Sequence, residues 1–230
     1  QSFGESKSFF KDVCERFVKN KRAMIALVIF LIIALMAIFG PMISPYSYDG
    51  MDTAIMNQRP SAAHWFGTDR FGRDLFTRVL YGARISLMVG IVTAVINTII
   101  GVIYGGIAGY VGGRVDMWMM RLTDILYSIP ELLYIILIML IFGSNVRSII
   151  IGVCVAGWIS MARMVRSQII TLKEQEFALA AFVLGANSRR ILFKHLIVNS
   201  LGTIIVTVTL MIPQAIFMLS LIHISEPTRL

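Results

Sequence analysis

This sequence predicts an all-α transmembrane fold, on three observations. Of its 230 residues, 57% are hydrophobic and only 15% charged, against about a quarter charged in a soluble domain. The charges cluster, leaving apolar runs of about 20 residues, the length a helix needs to cross a bilayer at about 1.5 Å per residue. Lysine and arginine gather beside those runs. The formal charge of +8 therefore reads as membrane topology, with lipid as the partner and no nucleic acid.

Five spans are expected. The first, 24–43, follows Lys19, Lys21 and Arg22 and is closed by Pro41 and Pro45. It is too long for a signal-peptide core and has no cleavage site, so it reads as a span. Because the chain opens on Gln1, a few residues are expected to be missing ahead of it. The second span is 85–110, the third 126–142 and the fourth 149–164, the last two joined by a short turn at 143–148. A fifth begins over 201–217.

Residues 1–22 hold six basic side chains and 163–195 another six, and Arg114 and Arg121 fall on the same side if the spans alternate. The long loop 44–84 carries five arginines nearly balanced by Asp49, Asp52, Asp69 and Asp74. The basic side is cytoplasmic, which places the N-terminus of this multi-pass protein there. The expected organisation is a cytoplasmic segment 1–22, a first span with its extracytoplasmic loop and interfacial helix over 23–84, and a transmembrane region 85–218 containing a cytoplasmic loop, 165–199.

Residues 219–230 read LSLIHISEPTRL. The run resembles the in-frame translation of a transposon-type sequencing-library adapter plus one residue. His223, Glu226 and Arg229 are then expected to carry no function, and the natural chain to continue through a sixth span: six spans in the intact protein, five here.

Catalytic and metal chemistry find little support. Cys14 and Cys154 are too few and too far apart for a disulfide framework or zinc site, and His64, His195 and His223 have no ligand spacing. No metal, catalytic cluster or cofactor is expected in this chain. A secondary transporter, or another polytopic protein uncoupled from ATP, would be expected to bury ionisable residues. Here Glu131 is the only acid within the spans, and it lies near a span end.

The most informative stretch is the cytoplasmic run Glu176-Phe-Ala-Leu-Ala-Ala-Phe-Val-Leu-Gly-Ala-Asn-Ser-Arg-Arg, 176–190. Residues 176–184 are good helix sequence, with an acid in the first turn. Gly185 stands where a helix-terminating residue with positive φ belongs, and Asn187 or Ser188 can cap a second helix running through His195. Phe177 and Phe182 have no lipid core to enter, and small Ala180 and Ala181 permit close approach. An exposed apolar helix implies a partner; an amphipathic connector is the plain alternative.

These residues resemble the Glu-Ala-Ala…Gly loop of the permease subunits of ATP-binding-cassette (ABC) importers. Ala180, Ala181 and Gly185 match it in spacing; Leu179 stands where its acid is usual and Val198 where a proline is common. The resemblance implies that Glu176, Phe177, Ala180, Ala181, Phe182, Gly185, Ala186 and Ser188 form a coupling loop docking on a cytosolic ATPase.

Three further stretches resemble the oligopeptide, dipeptide and nickel branch: 66–86, 124–133 and 157–166. In the first, Gly67-x4-Gly72 is followed by Arg73-Asp74 instead of the Lys-Ser/Thr a phosphate loop requires, so nucleotide binding is rejected there. Thr68 or Asp69 can cap an interfacial helix with Leu75, Phe76, Val79 and Leu80 on one face. Gly101, Gly105, Gly109 and Gly113 form a stripe at four-residue intervals, read as helix packing.

The resemblance implies a type I importer permease fold and a complex with two ATPase subunits, a homologous second permease and an extracytoplasmic solute-binding protein. ATP and Mg²⁺ would be bound by the ATPases. The solute would be a peptide, with nickel or another small solute as the alternative. The sequence does not identify the residues that would touch it.

Overall fold

The computed structural model describes residue 15 and residues 17–225, with side chains to residue 220. Cys14, Glu226, Arg229 and the His223 side chain lie outside the described residues, as does most of the segment 1–22. The chain divides into two compact units, one up to Ile85 and one from Ser86 onward.

In the first unit, α1 spans Lys21–Ile43, capped by the Asn20 side chain, which accepts from the Ala23 amide at 3.2 Å. Its 23 residues rise about 35 Å, enough to cross the apolar core of a bilayer. Pro41 lies inside the helix instead of closing it. In the last turn, proline forfeits only one hydrogen bond, and the helix ends at Ile43 with Ser44 as its cap. Only Ala37 of α1 is buried; an apolar helix this open needs lipid or protein around it.

The connection that follows folds on itself. Asn57 donates to the Asp69 carbonyl (3.0 Å), Thr68 to that of Gln58 (3.1 Å) and Leu75 to that of Gly67 (3.1 Å). Gly72 has φ +72, and a Cβ there would collide with the Asp52 carbonyl. The Gly67-x4-Gly72 spacing thus serves chain closure, where only glycine combines this φ with this approach.

The expected cap at Thr68 or Asp69 is wrong. The next helix, α2, starts at Leu75. Asp74 Oδ2 caps it, accepting from both the amide and the hydroxyl of Thr77 at 2.8 Å. Thr68 and Asp69 are engaged within the loop, where Asp69 accepts from the amides of Phe71 (2.8 Å) and Arg73 (3.0 Å). Among the described residues the interfacial helix is not separate from the second span either: α2 runs unbroken over Leu75–Val111, 37 residues. Leu80 is buried on it while Val79 is exposed.

In the second unit the expected third span is two helices. These are α3, Gly113–Tyr127, and α4, Glu131–Phe142, bent 73° from each other. Pro130 explains the break: it biases Ile129 away from helical geometry and offers no amide of its own. Asn145 caps α5, Val146–Ala156, which passes through Gly157 into α6, Trp158–Lys173. The fourth span accordingly extends beyond 149–164, over Val146–Lys173. Then come α7, Glu176–Val183, a single turn α8, Ser188–Arg190, a π-turn over Ile191–Leu196, and α9, Ile197–Ser225. Among the described residues, four helical segments are long and apolar enough to cross a membrane, or five if the bent pair is one span.

Small residues set how closely α2 and α6 meet. A Cβ on Gly101 would lie 2.6 Å from the Met161 side chain. One on Gly105 would strike the Ala162 carbonyl, and one on Gly109 would lie 2.8 Å from that of Arg166. Gly113 has left the stripe. It begins α3 with φ +58, and a Cβ there would meet nothing within 4 Å.

Candidate functional site

The site is built from α6 downward. Residues of α6 (Val165 and Ile169), the π-turn (Leu192 and Leu196) and α7 (Ala178) share one buried core. Ala181 and Ala186 pack against its edge. α7 therefore has an inner face of alanines, small enough to let the helix lie close to its neighbours. Its other face is apolar and open: Phe182 is 70% exposed and Leu184 86% exposed. Phe177, Leu179 and Val183 are exposed as well. Glu176, Ala180 and Ser188 are also at the surface.

The turn after α7 is locally determined. Gly185 has φ +80, its amide donates to the Phe182 carbonyl (3.0 Å), and the Ala186 amide donates to that of Ala181 (3.0 Å). This paired arrangement is a Schellman ending, which satisfies two terminal carbonyls. A Cβ at Gly185 would meet nothing within 4 Å, so the demand for glycine there is conformational. Two residues on, the Asn187 side chain accepts from the Arg190 amide at 2.8 Å and starts the next helical stretch. That stretch does not stop at His195 but continues through the π-turn into α9.

Sequence reasoning missed the struts behind this helix. Arg166 forms a bidentate pair with Asp116, and Arg163 Nη2 lies 2.9 Å from Asp124 Oδ1. Lys173 Nζ donates to the Tyr110 carbonyl at 2.6 Å. These contacts brace α6 against α3 and the end of α2, so α7 hangs from a supported helix. A signal existed in the eight-residue spacing of Asp116 and Asp124 and the three-residue spacing of Arg163 and Arg166, each pair on one helical face. Which acid meets which base depends on the tertiary packing.

Comparison with known proteins identifies the family. Residues 101–224 match the family described as the binding-protein-dependent transport system inner membrane component. Residues 8–60 match the N-terminal transmembrane domain of oligopeptide transport permease C. The chain is 47% identical over 213 residues to the oligopeptide transport system permease protein OppC of Bacillus subtilis, covering 93% of this chain and 70% of that one. It is 48% identical to the dipeptide transport system permease protein DppC of the same organism, covering 92% and 66%. The identity is 45% with the OppC protein of Escherichia coli, covering 92% and 71%. Apolar spans and these relatives agree: the chain belongs to the family of inner-membrane permease components of binding-protein-dependent transport systems.

Proposed function

We propose that this permease subunit passes peptides inward, and that α7 is the element through which ATP hydrolysis drives it. The carrying observation is the helix itself: small residues turned to the core, large apolar ones turned outward, and a Schellman ending that holds it in place. The peptide assignment rests on relatives whose names specify oligopeptide and dipeptide transport. The chain works with two cytosolic ATPases, a homologous permease and an extracytoplasmic solute-binding protein. ATP and Mg²⁺ belong to the ATPases, and this chain itself catalyses nothing. Its N-terminus is cytoplasmic, which puts α7 on the ATPase side.

The energies suffice for coupling. Driving a two-state equilibrium from 1:99 to 99:1 takes about 5.5 kcal/mol, and fully burying one large apolar side chain is worth about 1.5–3 kcal/mol. A few side chains such as Phe182 and Leu184, buried against the ATPase in one state more than the other, supply that bias.

The test is uptake into proteoliposomes holding the full transporter and its binding protein. ATP-dependent entry of a labelled tripeptide is expected. Entry of nickel with no entry of any peptide would overturn the solute assignment.

A further inference from the structure

The second unit contains a cavity of about 460 Å³ reached by α2, α3, α4, α5, α6 and α9. Its volume falls in the range of about 300–1,000 Å³ typical of small-ligand sites. The polar side chains on its wall are Thr93, Asn97, Tyr127, Glu131, Ser160 and Gln214, and neither lysine nor arginine lines it. Asn97 is only 3% exposed, and its Oδ1 has no hydrogen-bond partner. Gly157 makes room for this side chain, since a Cβ there would collide with Asn97 Nδ2. Thr93 and Ser160 donate their hydroxyl protons to the carbonyls of Val89 (2.8 Å) and Gly157 (3.4 Å). Their lone pairs are what remain for a ligand.

Glu131 stands at the mouth of α4, where the 73° bend at Pro130 delivers it to the cavity wall. Among the described residues it has no hydrogen bond or ion pair. Arg163, whose guanidinium lies over the Tyr127 ring, is already paired with Asp124 at 2.9 Å. A carboxylate and a buried amide oxygen thus converge on one space, neither of them hydrogen-bonded among the described residues and with no lysine or arginine on the wall. A buried acceptor left unmatched is costly, and an ionisable residue kept inside a membrane region points to a ligand.

We infer that this cavity is a way-station for a protonated amine of the passing solute, with the Glu131 carboxylate as its counter-ion and Asn97 Oδ1 as a second acceptor. An ammonium group carries three donors and one positive charge, which is the complement of this wall. The inference rests on the peptide reading above, because a peptide brings such a group at its N-terminus.

The experiment compares wild type, Glu131→Gln and Glu131→Asp in proteoliposomes of the full transporter. Uptake is measured for a tripeptide and for its N-acetylated form at saturating binding protein. The expected result is that Glu131→Gln slows the free peptide at least fivefold more than the acetylated one, and that Glu131→Asp restores most of the difference. Asn97→Ala should shift the ratio the same way. Equal amounts of assembled complex must co-purify for each variant. If Glu131→Gln slows both peptides equally, or carries the free peptide at the wild-type rate, the amine site is overturned and the peptide reading stands. Where wild type carries only the free peptide, loss in Glu131→Gln with recovery in Glu131→Asp supports the site. Wild-type liposomes that take up neither peptide overturn the peptide reading itself.

Discussion

At the scale of single residues, two positions make opposite demands on chemistry. Gly185 is needed for its backbone: φ is +80, and the space around it is open. Replacement by valine costs about 1–2 kcal/mol of backbone strain, without any steric collision, and should misplace α7. Gly185→Val is expected to reduce peptide uptake and co-purification of the ATPase together, while the amount of membrane-inserted permease stays near wild type. Asparagine tolerates this conformation better, so Gly185→Asn should be milder. Normal transport by Gly185→Val would reduce the loop to a connector. Asp69 is needed for its charge. Burial pushes its carboxyl upward, but the Arg73 and Phe71 amides and the Arg73 guanidinium outweigh this and lower it from 3.8 to about 2. A carboxylate depressed in the folded state adds stability that is complete above its unfolded value and is lost as pH falls toward the folded one. Protection of the amides in the loop 52–73, measured against their intrinsic exchange rate at each pH, should therefore fall between about pH 4 and pH 2. Asp69→Asn should exchange faster, by at least about tenfold, even at neutral pH, since a hydrogen bond to a charged group contributes about 1.5–3 kcal/mol. An unchanged exchange profile in the variant would show that the loop does not depend on this carboxylate.

Among elements, the decisive pair is α2 and α6. Association of helices in lipid depends on close packing more than on hydrophobicity, and Gly101, Gly105 and Gly109 bring the backbone of α2 against that of α6. Gly105→Val would drive a side chain into the Ala162 carbonyl. Overpacking of this kind costs about 1–3 kcal/mol, and a lowered thermal-unfolding midpoint in detergent is the expected reading. Gly202→Ala is the matched control. It lies in α9 with nothing within 4 Å of the added Cβ, and alanine favours a helix over glycine by about 1 kcal/mol, so its midpoint should hold or rise. If both variants melt alike, the glycine contacts do not hold the pair. The stripe was legible as a four-residue repeat, yet Gly113 belongs to the repeat and not to the contact. Its place was decided by the end of α2 at Val111, which periodicity alone does not mark.

For the whole molecule, the asymmetry of lysine and arginine between loops predicts the orientation in the membrane. In a chain whose native cysteines are replaced, Ser188→Cys should resist a membrane-impermeant thiol reagent in intact cells and Ala62→Cys should react. Both positions are exposed, so burial does not confound the comparison. The reverse pattern would overturn the topology and, with it, the proposed docking of α7 on a cytosolic ATPase.

What the sequence by itself determined is what local chemistry determines. Apolar length sets the spans, because a backbone in lipid must satisfy its hydrogen bonds within the helix. Glycine at 185 and asparagine at 187 set the end of α7 and the start of the next stretch, because both act on amides and carbonyls within a few residues. Tertiary structure decided everything that needs two distant segments at once. Asp74 displaced Thr68 and Asp69 as the cap of α2, because those two were drawn into the loop's own hydrogen bonds. Pro130 was visible from the start, but the bend it makes mattered only once α2, α5 and α9 stood around Glu131. The pairing of Arg166 with Asp116 and the unmet oxygen of Asn97 likewise depend on which helices become neighbours, a long-range outcome that no window along the chain contains.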